Sequence, residues 1–186
     1  MSSDIYTYWF WNNLFSKSEI LDLQKIFIEN QTDECGDVPA KNAVKKTKSY
    51  FTYISHFKNN LYNLNQRILD VNKKHFGYIL YDINDYDVTF LNEYHSSEEG
   101  EYDWHKDGSN THVYDHKFTV LINCSDVEYE GGEFMLMSNG GGKVVSEFSK
   151  PGDVLLFPSH IYHKVNKVTK GLRKSMAFFY SGPKFK

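Results

Sequence analysis

The run GDVLLFPSHIYHKVNKVTKGLRKSMAFFY, residues 152–180, decides the fold class. Val154–Phe157 is a short apolar stretch bounded by Gly152-Asp153 on one side and Pro158 on the other; Ile161–Val165 and Leu172–Tyr180 follow, divided by Lys170-Gly171. Such runs read as β-strands, because branched and aromatic side chains fit a pleated surface while Pro and Gly interrupt its ladder. Alternate side chains of a strand share a face. Ile161, His163 and Val165 therefore point one way, as do Arg173, Ser175, Ala177 and Phe179 on the next strand. A hairpin turning through Thr169–Gly171 would set Arg173 a short distance beyond His163 in one cavity.

The same pattern extends back to Tyr78. Tyr86–Tyr94, Lys117–Asn123, Gly132–Leu136 and Lys143–Glu147 are further candidate strands, separated by Glu130-Gly131-Gly132, Asn139-Gly140-Gly141-Gly142 and Pro151-Gly152-Asp153. Regularly spaced strands with turn chemistry between them predict an antiparallel sandwich or barrel. The triple glycine lacks the Lys-Ser/Thr and the following helix of a phosphate loop, and reads as a hairpin tip. Before Tyr78 the period becomes helical. Ser16 and Glu19 form a capping box ahead of Ile20, Leu23 and Phe27, and Phe57, Leu61, Leu64, Ile68 and Val71 make a second stripe over 57–75. Between these helices, residues 32–49 are polar and lysine-rich, which predicts a mobile loop able to act as a substrate lid. Trp9 and Trp11 are expected to close the core against the sheet. The chain thus divides into helical support over 1–77 and a β core over 78–181, within one domain spanning 1–186.

Composition narrows the function. With 186 residues, 40% apolar and 24% charged, the chain is an ordinary globular domain rather than a disordered or coiled-coil one. A net charge of −3 supplies no basic field, so no nucleic-acid partner is expected. The start has no basic, apolar leader pattern and no long uncharged apolar run occurs, so no membrane partner is expected and the compartment is the cytoplasm. Abundant Lys, Asn, Tyr and Phe suit an A/T-rich genome such as a phage's, in which case it is the host's cytoplasm. Cys35 and Cys124 are too few for a four-cysteine zinc site or a secreted disulfide framework. A metal here must be held mainly by His and carboxylate.

YDWHKDG, residues 102–108, offers such a pair. On an extended strand His105 and Asp107 share a face, so an imidazole nitrogen and a carboxylate oxygen can grip one ion. Alone the pair is weak, since about one His-x-acid spacing arises by chance in this composition. His163 adds the missing ligand. Two His and one carboxylate on one face of an octahedron leave open positions, the arrangement of non-haem Fe(II) oxygenases. Arg173, always charged and planar, suits the carboxylate of an anionic cosubstrate. His160, three residues before His163, ranks second as distal ligand. His112 and His116 read as loop or rim residues; His56, His75 and His95 as structural or exposed. Tyr102 and Trp104 alternate with the ligands and are expected to pack beneath the site or, as the sharper reading, to form a substrate-stacking wall.

His105-x-Asp107, His163 and Arg173 at these spacings resemble the 2-oxoglutarate and Fe(II)-dependent oxygenases, specifically the prolyl 4-hydroxylase-like group. The stretch PSHIYHKVNKVTKGLRKSMAFFY, 158–180, is similar almost position for position to the PKHD-type hydroxylases of bacteria and phages. Tyr94, Asn123 and EGGEF at 130–134 add supporting matches, and the likeness covers about 86–181. It implies a mainly β fold with flanking N-terminal helices, a double-stranded β-helix of the jelly-roll or cupin-like kind. It also implies that His105, Asp107 and His163 ligate Fe(II), and that Arg173 pairs with the distal carboxylate of 2-oxoglutarate. Tyr94 would hydrogen-bond the cosubstrate and Ser175 would add a hydroxyl. A second tyrosine that some relatives carry is replaced, Leu121 and Ile122 standing there. The implied reaction consumes O2, with ascorbate as an accessory reductant, releases succinate and CO2, and hydroxylates a prolyl residue of a peptide or protein. A monomer or weak dimer is expected. Two other readings fit the residues: a catalytically silent metal- or metabolite-binding barrel, and a zinc hydrolase using the same His/Asp/His site.

Overall fold

The computed structural model describes residues 7–30, 44–108, 113–138 and 140–185. In chain order its elements are β1 (Trp9–Trp11), α1 (Lys17–Asn30), β2 (Lys45–Lys46), β3 (Lys48–Tyr53), α2 (Lys58–Val71), β4 (Val88–His95), β5 (Glu101–His105), β6 (Tyr114–Asn123), β7 (Glu130–Gly131), β8 (Phe134–Ser138), β9 (Gly141–Val144), β10 (Val154–Pro158), β11 (His163–Val165), β12 (Val168–Lys170) and β13 (Leu172–Pro183). The major sheet has the spatial order β1-β10-β6-β13-β4-β3 and the minor sheet β2-β5-β11-β8-β9, while β12 and β7 pair separately. The two sheets share a core in which Leu121, Leu155 and Ala177 of the major sheet meet Phe134, Leu136 and Val165 of the minor one. This is the expected double-stranded β-helix.

Period-two alternation sorts the major sheet. Met176, Phe178 and Tyr180 of β13 and Leu91, Val120 and Ile122 beside them join the core beneath the helices, whereas Ala177 and Leu121 face the minor sheet. Ile20, Leu23 and Phe27 of α1 and Leu61, Leu64 and Ile68 of α2 are buried against the first set. Each such side chain contributes roughly 1.5–3 kcal/mol on burial, enough to dock both helices. The capping box forms as expected: Ser16 Oγ accepts the Glu19 N–H at 3.3 Å, and the Glu19 carboxylate accepts the Ser16 N–H at 2.8 Å.

Several sequence readings are corrected. Residues 1–77 are not helical support alone, because β1 extends the major sheet beside β10, and β2 and β3 sit at the edges of the minor and major sheets. Within the lysine-rich segment, residues 45–46 and 48–49 are strand rather than loop. Their charges are ion-paired along the edge, Lys46 with Glu99 and Glu101 and Lys48 with Glu98, so lysine content did not signal solvation there. Residues 31–43, and with them the lid reading, lie outside the described residues. The stripe over 57–75 is three pieces: a 3-10 turn (Ile54–Phe57), α2, and a π turn (Asn72–Phe76) closed by Gly77 at φ 72°. Asn72 causes the break, its amide bonding both the N–H and the C=O of Tyr78 at 2.9 Å. The last hairpin is also absent. β11 belongs to the minor sheet and β13 to the major one, so His163 and Arg173 enter one cavity from different sheets.

Candidate metal centre and carboxylate pocket

His105 ends β5 and His163 begins β11, where the two are direct cross-strand partners with ring centroids 4.1 Å apart. Asp107 lies beyond the end of β5, its backbone N–H on the Ser159 carbonyl at 3.1 Å, so a turn and not a strand face brings it in. Its carboxylate oxygens stand 3.8 Å from His105 Nε2 and 3.3 Å from His163 Nε2, and one ligand atom from each of the three residues lies within 4.8 Å of the others. The surroundings orient all three. His105 Nδ1 donates to the Asp103 carbonyl at 2.7 Å and His163 Nδ1 to the Ile161 carbonyl at 3.0 Å, which leaves each Nε2 lone pair turned to the cluster. Thr119 Oγ1 donates to Asp107 Oδ2 at 2.7 Å and meets Ser159 Oγ at 3.0 Å. Burial, reinforced by His163 and opposed by Asp107, pushes the His105 imidazole down to about 4, so it is neutral at neutral pH. Two imidazoles and one carboxylate with open positions beside them fit a divalent first-row metal.

From this cluster a cavity of about 950 Å³ runs to Arg173. Arg173 is 1% exposed, stands opposite Tyr94 in the β4–β13 ladder, and has its guanidinium 5.2 Å from the Tyr94 ring and 5.8 Å from Phe148. Its Nη1 donates to Ser175 Oγ at 3.4 Å. Among the described residues no carboxylate pairs with it. A buried charge costs several kcal/mol unless an anion meets it, so the pocket suits an anionic ligand. Burial pushes the Tyr94 phenol up to about 12 against the pull of Arg173, keeping it a protonated donor. Between the two polar ends the cavity wall is Phe90, Leu121 and Ala177.

The EGGEF motif acts on this pocket. Gly132 has φ 67°, and a Cβ there would lie 2.8 Å from Arg173 Cδ and 2.9 Å from Val168 Cγ2. Gly132→Ala should therefore cost about 1–3 kcal/mol of stability and push Arg173 aside. A melting curve and a 2-oxoglutarate titration on the same sample check this; normal values for both would refute it.

Of the remaining predicted residues, His160 is exposed with its ring against Phe185 at 5.5 Å, away from the cluster. His116 lines the cavity mouth, stacked on Phe179 at 4.5 Å, while His112 lies outside the described residues. His75 stacks on Trp9 at 4.6 Å in a structural role. Tyr102 is not beneath the site. A bulge lets His163 pair with His105 but Val165 with Tyr102, turning Tyr102 into the cavity, where it stacks on His105 at 3.4 Å. Trp104 does pack away from the cavity, its ring so close over Gly142 that a Cβ there would lie 2.5 Å from it. Sequence reasoning missed Thr119, although period two counted back from Asn123 along β6 places it on the inward face. A second cavity of about 920 Å³, under Phe15 and Tyr129, contains none of the three cluster residues.

Comparison with known proteins follows the same lines. The model of the 2OG-Fe(II) oxygenase superfamily matches residues 89–181. Over 49 residues the chain is 43% identical to a PKHD-type hydroxylase of Idiomarina loihiensis, a match that spans 26% of this chain and only 22% of that protein. A Pseudomonas putida prolyl-4-hydroxylase superposes with TM-score 0.67 at 13% identity, over 94% of this chain and 92% of the other. A Trichoplax adhaerens prolyl hydroxylase, solved with a peptide fragment of hypoxia inducible factor, gives TM-score 0.67 at 16% identity over 94% and 83%. At such identities the two structures establish likeness of fold.

Proposed function

The chain belongs to the 2OG-Fe(II) oxygenase superfamily, and on that premise we propose that it hydroxylates prolyl residues of a peptide or protein, using Fe(II), 2-oxoglutarate and O2. The observation that carries the reading is the buried fork of Arg173, unpaired with any carboxylate among the described residues, at the far end of the cavity that begins at His105, Asp107 and His163. The cavity is polar at both ends and apolar between, which suits a dicarboxylate whose middle is two methylenes. His105 Nε2, His163 Nε2 and an Asp107 oxygen would hold the iron. Arg173 takes the distal carboxylate in a planar, charge-assisted pair, with Ser175 and Tyr94 as further donors. Thr119 keeps Asp107 turned toward the metal, and Phe90, Leu121 and Ala177 exclude water along the cosubstrate. When bound, the iron couples oxidative decarboxylation of 2-oxoglutarate to oxygen insertion into a substrate C–H bond. Ascorbate serves as the reductant that keeps the iron ferrous.

The prolyl assignment draws its support from the relatives, a PKHD-type hydroxylase and prolyl hydroxylases, and from a cavity mouth walled by Tyr114, His116 and Phe179. Incubating the iron-loaded protein with 2-oxoglutarate, ascorbate, air and a library of proline-containing peptides tests it by mass spectrometry. The expected product gains one oxygen atom on proline. Gain on another residue type alone would remove the prolyl assignment and leave the hydroxylase.

A further inference from the structure

Beside Arg173 runs a row of polar side chains, two of which line the cavity, that the roles above use only in part. Ser49 on β3, Asn92 on β4, Ser175 on β13 and Asn123 on β6 are successive cross-strand partners. Partners in an antiparallel ladder project to one face, so these four stand side by side, with Asn92 and Ser175 reaching the cavity. Ser49, Ser175 and Asn123 are fully buried. The next row toward the metal cluster is Phe51, Phe90, Ala177 and Leu121, apolar throughout.

Polar groups at this depth are unfavourable unless bonded. Asn123 is bonded at both ends of its amide, Nδ2 donating to Tyr129 OH at 3.1 Å and Oδ1 accepting the Ser125 N–H at 3.1 Å. Asn92 is bonded at one end. Ser49 Oγ donates to its Oδ1 at 2.7 Å, whereas among the described residues its Nδ2 has no acceptor. Asn92 lines the cavity, and with its oxygen committed to Ser49 it has its NH2 free for a ligand there. Next to it stands Ser175, whose hydroxyl accepts from the Arg173 fork.

We infer that Asn92, fixed by Ser49, is a positioning residue for the cosubstrate: its amide donates to the same carboxylate that Arg173 pairs with. The inference rests on the reading of this pocket as the 2-oxoglutarate site. It makes the deep end a three-sided donor set of guanidinium, amide and hydroxyl, which selects a dicarboxylate over a keto acid with only one carboxylate.

Calorimetric titration of 2-oxoglutarate into the Mn(II)-loaded protein under nitrogen reads binding without turnover. Asn92→Asp replaces the NH2 by a charged oxygen while keeping an oxygen for the Ser49 hydroxyl. It should weaken 2-oxoglutarate binding about 30-fold or more, with Mn(II) affinity unchanged and the ligand-free melting temperature not lowered, since the new carboxylate stands in the same pocket as the Arg173 fork. Ser49→Ala leaves the amide in place but unfixed, and should cost about fivefold. An aspartate variant that binds as tightly as the parent overturns the inference, since a charged oxygen facing the bound carboxylate would repel it. If that variant does not fold, undiminished binding by Ser49→Ala overturns it instead. A parent protein that takes up no 2-oxoglutarate removes the cosubstrate reading and this inference together; a parent that binds, with variants that bind equally, removes only the role of Asn92.

Discussion

Arg173→Leu is expected to weaken 2-oxoglutarate binding by about 100- to 1,000-fold while leaving the ligand-free protein at least as thermostable as the parent. The two halves of this result have one cause. In the ligand-free protein the guanidinium is 1% exposed and faces two aromatic rings and a hydroxyl, with no carboxylate among the described residues to offset its lost hydration. Leucine removes that cost. With the anion bound, the same fork supplies paired, charge-assisted hydrogen bonds that leucine cannot make. Thermal melts with and without 2-oxoglutarate separate the effects: the parent should shift upward with ligand and the variant should not. Arg173→Lys keeps the charge, loses the planar fork, and should fall between them at about tenfold. A leucine variant still stabilised by 2-oxoglutarate would place the carboxylate elsewhere.

The second large effect concerns the metal. His105→Ala and Asp107→Ala should each lower metal affinity by more than about 100-fold, because even an outer partner of a ligand is worth tenfold or more. Succinate release should drop below detection in both. His160→Ala is the control: its ring lies on Phe185 outside the cluster, and both measurements should match the parent. Metal analysis after dialysis and a succinate assay give the answer. Full metal content in His105→Ala, or its loss in His160→Ala, would mean that the ligand set is wrong. A zinc hydrolase would share the metal result but release no succinate.

Much of this site was legible in the sequence because its signals are local. The His105/Asp107 spacing, His163 after a Pro-broken strand, and Arg173 on a period-two face each need only a few neighbouring residues. The capping box of Ser16 and Glu19 is equally local, and forms. What escaped depends on pairing between distant strands. Tyr102 entered the cavity through a bulge against β11, which reverses the face that alternation assigns. The crossing of the chain between sheets at 166–171 puts His163 and Arg173 on different sheets, where a hairpin would have kept them on one, yet both line the same cavity. β2 and β3 were hidden because their lysines, paired with Glu98, Glu99 and Glu101, mimic a solvated loop. Ser49 and Asn92 lie 43 residues apart and meet only through the β3–β4 register.

The central claim is that one cavity holds iron at His105, Asp107 and His163 and 2-oxoglutarate at Arg173. Mixing the purified protein with Fe(II) and 2-oxoglutarate under nitrogen and then admitting air tests it in one cuvette. The account predicts a weak visible charge-transfer band that fades as succinate forms, and no such band with Arg173→Leu at the same cosubstrate concentration. A parent protein that gives neither the band nor succinate would contradict it.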